Sequence, residues 1–178
     1  MNFKKSLIIT VLTSIMLPVV AEDDSTTKNN VQVDQLSLAS AVQAAQVSIN
    51  TCREAGAKVS AAVVDRNGLT QVILRDTFSS PVSVELSRKK AFTAANFSKN
   101  TTQLVNLSDT AVGRTDGVLM SAGGVLIKLD ETIYGAIGVS GAETGAIDDN
   151  CAKAGAKAIT DAITADKALA KELEAAKA

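Results

Sequence analysis

"VSAAVVDRNGLTQVILRD", residues 59–76, decides the fold. Asn67-Gly68 stands between two runs rich in Val, Ile and Thr, and both residues tolerate the positive φ that a tight reversal demands. The stretch reads as a β-hairpin, and a hairpin pairs its strands antiparallel. A second stretch behaves alike. "VLIKLDETIYGAIGVSG", residues 125–141, gives strands over Val125–Leu129 and Thr132–Val139, joined at Asp130-Glu131.

Helical periodicity lies between and around the hairpins. Residues 37–56, "SLASAVQAAQVSINTCREAG", place Leu38, Val42, Ala45, Ile49 and Cys52 at spacings of three and four, with Ser37 as N-cap and Gly56 as C-cap. Ser80-Pro81 opens a helix that runs to about Phe97, with proline in the first turn and serine capping it. "NTTQLVNLSDTAV", residues 100–112, predicts a short helix, and "IDDNCAKAGAKAITDAI", residues 147–163, a further one. The order helix, hairpin, helix, short helix, hairpin, helix is that of an α+β fold. It implies an antiparallel sheet of about four to five strands flanked by helices, in a profilin-like or PAS-like layered architecture.

The glycines of "GAIGVSGAETG", residues 135–145, raise the question of a phosphate loop. A dinucleotide site wants G-x-G-x-x-G directly after a parallel strand. Here the spacing is wrong and the preceding element is a hairpin arm. Gly135 and Gly138 are expected inside a strand that another backbone or a ligand approaches closely, and Gly141 and Gly145 in the turn into the last helix.

The chain has 178 residues, 46% of them apolar, which suits one globular domain. A formal net charge of -1 supplies no footprint for nucleic acid, and 3% aromatics without Trp supply few stacking platforms. "MNFKKSLIITVLTSIMLPVVAEDD", residues 1–24, has the basic, apolar and small-residue parts of a secretory signal peptide cut near Ala21. The expected organisation is a signal peptide over 1–21, a flexible leader over 22–34, a folded domain over 35–163 and a charged Ala/Lys-rich helical extension over 164–178. Such a protein is periplasmic or secreted and free of the membrane once the signal is removed. An oxidising compartment favours a disulfide between Cys52 and Cys151; two separate buried thiols are the alternative.

Histidine is absent. That removes Ser-His-Asp and Cys-His nucleophilic machinery and most zinc or non-haem iron sites. A carboxylate metal site from Asp148 and Asp149, or from Glu22, Asp23 and Asp24, competes with a helix cap in the first case and a solvated tail in the second. On the second helix Val82, Leu86, Lys90, Thr93 and Phe97 share one stripe, so a cation and a hydroxyl interrupt a core-facing row. These polar groups need partners or a ligand. Alternatively Thr93 bonds back to a carbonyl one turn earlier and Lys90 reaches solvent.

"SLASAVQAAQVSI…EAGAKVSAAVVDRNG", "SRKKAFTAANF", "AGGVLIKLDETIYGAIGVSG" and "DDNCAKAGAKAI" together resemble the GlcG/HbpS family, also called the haem-degrading domain family. The likeness spans about Leu36 to Ile159. It implies an antiparallel sheet flanked by helices, homo-oligomers, and members that bind haem or related tetrapyrroles, some of them exported and cooperating with sensor or transport proteins. It also implies Thr93 as an iron contact, with Met120, Tyr134 and the two cysteines as alternatives, since the histidine that some relatives use on the first helix is missing. Lys89 or Lys90 would pair with propionates, and Phe92 or Phe97 would supply apolar contact. The reading is a haem-binding protein with a transport, storage or sensing role. Competing readings are an enzyme acting on haem or on a small 2-hydroxy acid, and an interaction module without ligand. Where family members carry proline before the double glycine, this chain reads Ser121-Ala122-Gly123-Gly124.

Overall fold

The structure, a computed structural model, describes residues 33–177. The expected signal peptide, most of the leader, and Glu22, Asp23 and Asp24 lie outside the described residues. Both hairpins form: β1 (Ser60–Asp65) with β2 (Thr70–Arg75), and β3 (Gly124–Leu129) with β4 (Thr132–Ser140). They join through an antiparallel β1–β4 pair that runs from Ser60 opposite Ser140 to Asp65 opposite Gly135. The result is one four-stranded sheet in the order β2-β1-β4-β3, within the expected α+β class.

Helix α1 (Leu38–Glu54) and helix α3 (Gly145–Ala175) pack together on one face of the sheet, and α2 (Val82–Phe97) covers the other. Ser37 caps α1 as expected, accepting the Ser40 N–H. Pro81 occupies the cap position of α2 without a side-chain cap, so the expected Ser80 cap is not made; instead the Ser80 carbonyl accepts from Ser83 Oγ. The last helix is capped by Thr144 and continues through the expected C-terminal extension, whose residues are largely exposed. No helix among the described residues is long and apolar enough to cross a membrane.

The α1/α3 face is aliphatic. Ile49, Val59, Val63, Ile127, Ile137, Val139 and Ile159 are buried there, and Cys52 and Cys151 form a disulfide between α1 and α3 with a Cα–Cα distance of 5.5 Å. The α2 face is small: Ala62, Ala91, Ala94, Ala95 and Ala136 surround Val64. Gly138 explains the difference, because a Cβ there would strike the Ser87 carbonyl and come within 2.5 Å of the Ala91 nitrogen. With the helix backbone against the strand, only small residues fit beneath it. The expected α2 stripe is corrected accordingly. The buried face is Ser83, Ser87, Lys90, Ala91 and Thr93 to Ala95, while Val82 is 60% exposed.

The segment after α2 forms two 3-10 turns, Thr101–Gln103 and Val105–Leu107, in place of the expected short helix. Its polar residues are spent on the neighbouring edge strand. Asn100 Oδ1 accepts the Leu126 N–H at 2.9 Å, and Thr101 Oγ1 accepts the Gly124 N–H at 2.8 Å. These bonds satisfy groups that an edge strand would otherwise present to solvent.

Candidate functional site

The polar residues that interrupt α2 are engaged within the protein. Lys90, 4% exposed, donates from Nζ to Asp148 Oδ2 at 2.8 Å and to the Val139 carbonyl at 2.9 Å. Asp148, equally buried, uses Oδ1 to accept the Ala142 N–H. The pair therefore ties α2 to the start of α3 around the end of β4. Gly123 packs against it, since a Cβ there would lie 2.6 Å from the Val139 carbonyl oxygen and 3.0 Å from Lys90 Nζ. Two expectations are corrected. Lys90 neither reaches solvent nor is free for a propionate, and Asp148 is an ion-pair partner rather than a simple cap.

Thr93 is fully buried and its hydroxyl is used twice. It donates to the Lys89 carbonyl one turn earlier at 2.7 Å and accepts the Leu119 N–H at 2.8 Å. The back-bond was one of the alternatives that the spacing left open; the bond to Leu119 was not visible in it. A hydroxyl committed in this way fastens the segment before β3 to α2 and is closed off from solvent. Met120 follows Leu119 and is 4% exposed. Tyr134 lies in the opposite layer, in the α1/α3 core, with the Lys167 ammonium 5.8 Å from its ring centre. It does not join the α2 residues. Both cysteines are closed in the disulfide and offer no thiolate.

Lys89, Phe92 and Phe97 remain partly accessible on α2. Arg88 grips Glu85 through two bonds, of 2.9 and 2.6 Å, and that hydrogen bonding holds the Glu85 carboxyl below the usual carboxylate range. Lys89 stands 3.9 Å from the same carboxylate, a loose contact that leaves its ammonium available. Phe92 lies along Gly68 of the first hairpin turn and Gly117 of the segment leading to Leu119; a Cβ at Gly68 would come within 3.1 Å of its ring and one at Gly117 within 3.6 Å. Exposed Val105, Leu107 and Val112 belong to that same segment. The partly accessible side of α2 thus presents Phe92 and Lys89, with exposed Arg66 and Arg114 in the hairpin turn and the segment that flank the ring.

Among the described residues no group of three or more His, Cys, Asp or Glu converges as a metal site. Asp149 pairs with Lys153 at 2.6 Å. A cleft of about 440 Å³ opens elsewhere, where the connections α1–β1, β2–α2 and β4–α3 meet; its lining includes Ala55, Lys58, Phe78, Ala142, Glu143 and Ile147. None of the expected ligand contacts lines it, although Gly56 and Gly141, expected as a helix cap and a turn, do. The available signal was Phe78, an aromatic inside the polar stretch "DTFSSP" between a strand and a helix.

The family described as "Haem degrading protein HbpS-like" matches residues 36–157. The chain belongs to this family. The HbpS-like chain is 34% identical to a doubly substituted HbpS of Streptomyces reticuli, with a TM-score of 0.69 over 79% of this chain and 98% of that one. It is 25% identical to protein ORFY of Klebsiella pneumoniae, with a TM-score of 0.72 over 76% and 98% of the two chains. A PduOC:heme complex, 24% identical, shares the fold at a TM-score of 0.64 over 70% of this chain and 94% of that one. No protein of curated function matches the HbpS-like chain.

Proposed function

We propose that this protein is an exported, homo-oligomeric haem-binding protein that holds the porphyrin by its faces and edges rather than through a side chain on the iron. Family membership over residues 36–157 supports haem as the ligand class. The observation that carries the mode of binding is the engagement of the expected iron ligands: Thr93 bonded twice, Tyr134 in the far layer, both cysteines in a disulfide. Cysteine, methionine, tyrosine and histidine are the usual axial groups. Of these the accessible surface of α2 presents none, because Met120 is buried and histidine is absent. The residues therefore fit a porphyrin and do not fit a strongly ligated iron.

Phe92 and the aliphatic side chains beside it would hold the ring, and Lys89 would pair with a propionate. Bound haem would supply its own redox and ligand-binding iron, left open on at least one side. Such a protein serves transport, storage or sensing, together with a partner protein in the exported compartment.

Titration of the mature protein with haemin, followed by absorbance, tests this reading. A saturable Soret change is expected, and Lys89→Glu weakens it about tenfold, or 1.4 kcal/mol, with an unchanged thermal midpoint. A spectrum that never saturates contradicts the reading. The family description also names haem degradation; loss of the Soret band on adding ascorbate or peroxide, catalytic in protein, would favour an enzyme over a carrier.

A further inference from the structure

Haem binding on α2 leaves the cleft at the other end of the fold without a role. Its walls are short side chains, Ala55 and Ala142, with Ile147, and its volume is about 440 Å³. Phe78 stands at its rim, 84% exposed, more than any other large apolar side chain among the described residues. A ring left in water forgoes the stabilisation that burial would contribute. Lys58 and Glu143 line the same cleft and are exposed, and neither enters an ion pair among the described residues. One face thus carries a projecting ring, a hollow, a free cation and a free anion.

A two-fold contact is self-complementary, so a face that carries both a projection and a hollow, and both a cation and an anion, holds on one copy what the other needs. We propose that this face is a two-fold contact between copies of this chain, with Phe78 of each copy entering the cleft of the other and Lys58 of each meeting Glu143 of the other. Val82, 60% exposed at the start of α2, extends the apolar area beyond Ser80. The chain's five Phe and Tyr residues make so exposed a ring the more telling, since the α1/α3 core takes Tyr134 while Phe78 is left outside. A small molecule would have to supply a cation, an anion and an aromatic contact at once; a second copy supplies all three. The proposal rests on the reading of the protein as a homo-oligomer and names the surface that makes it one.

The test is sedimentation velocity of the mature protein over a range of concentrations, beside the variants Phe78→Ser, Lys58→Glu, Glu143→Lys and the double charge exchange. Phe78→Ser is expected to weaken self-association at least tenfold while leaving the thermal midpoint of the separated protomer unchanged, because the ring touches little within its own chain. Each single charge exchange weakens association, and the double exchange restores it. An oligomer indifferent to Phe78→Ser overturns this surface while leaving the oligomeric reading standing. Double exchange without rescue overturns the two-fold pairing. A wild-type protein that is monomeric at every concentration overturns both, and cleft occupancy by an added aromatic zwitterion in that monomer would assign the cleft to a small ligand instead.

Discussion

The two faces of the sheet are held by different physics. On the α1/α3 side, branched aliphatics interlock and a disulfide closes the far end. On the α2 side the contacts are mostly alanines around Val64, and the helix is fastened by polar bonds: Lys90 to Asp148, Ser60 to Ser83, Thr93 to Leu119. Apolar packing is non-directional and tolerates exchange of similar volumes. A buried polar bond is directional, and losing one partner strands the other. The α2 layer therefore has position without bulk, and two of the residues expected to touch a ligand, Lys90 and Thr93, are its fasteners.

Breaking the Lys90–Asp148 pair should show the contrast most strongly. Lys90→Met leaves a buried carboxylate alone and is expected to cost about 3–5 kcal/mol in urea unfolding. Adding Asp148→Leu should recover much of that loss. A single-variant loss under about 1 kcal/mol would mark the pair as no stronger than an exposed one and erase the distinction between the layers.

The opposite layer has its own fastener. Replacing Cys52 and Cys151 with serine should cost about 2–4 kcal/mol, as expected for a bridge that closes a long loop, and thiol labelling of the denatured wild type without reductant should find no free cysteine. Labelling of both positions would remove the bridge from the account.

Thr93→Val comes next. It keeps the shape and leaves the Leu119 N–H unpaired, for an expected cost of about 1–3 kcal/mol, with faster hydrogen exchange at Leu119 and unchanged haemin affinity. A large loss of haemin affinity at intact stability would return Thr93 to the role of iron contact.

The apolar layer was legible in part: Ala45, Ile49 and Cys52 of the expected α1 stripe are buried and both hairpins form, but Leu38 and Val42 of the same stripe are 63% and 42% exposed, because the small residues Ala41, Ala44 and Ser48 turn inward where α3 packs against the helix. The α2 layer was not. Its packing is decided by Gly138, whose missing Cβ admits the helix backbone, and a glycine in a strand does not announce which helix approaches it. Lys90 and Thr93 were recognised as polar groups on an inward stripe, yet their partners Asp148 and Leu119 lie 58 and 26 residues away. Spacing within one helix carries no trace of such pairs.

The smallest effect is at the edge between the layers. Arg53 donates to both oxygens of Asp76, and this hydrogen bonding holds the Asp76 carboxyl below its ordinary range. A lowered folded value means that the carboxylate adds stability above the unfolded value of about 3.9, and that this is lost as the pH falls through the folded one. Stability of the wild type should therefore exceed that of Asp76→Asn at neutral pH, the gap closing only on acidification below about pH 4. A gap that widens in acid would reverse the sign and refute the pairing.

The most direct test of porphyrin binding without an axial side chain compares haemin with iron-free protoporphyrin IX on the mature protein. Binding led by the ring predicts dissociation constants within about tenfold of each other, or 1.4 kcal/mol, with each displacing the other. Tight haemin binding with no measurable binding of the iron-free ring would contradict it.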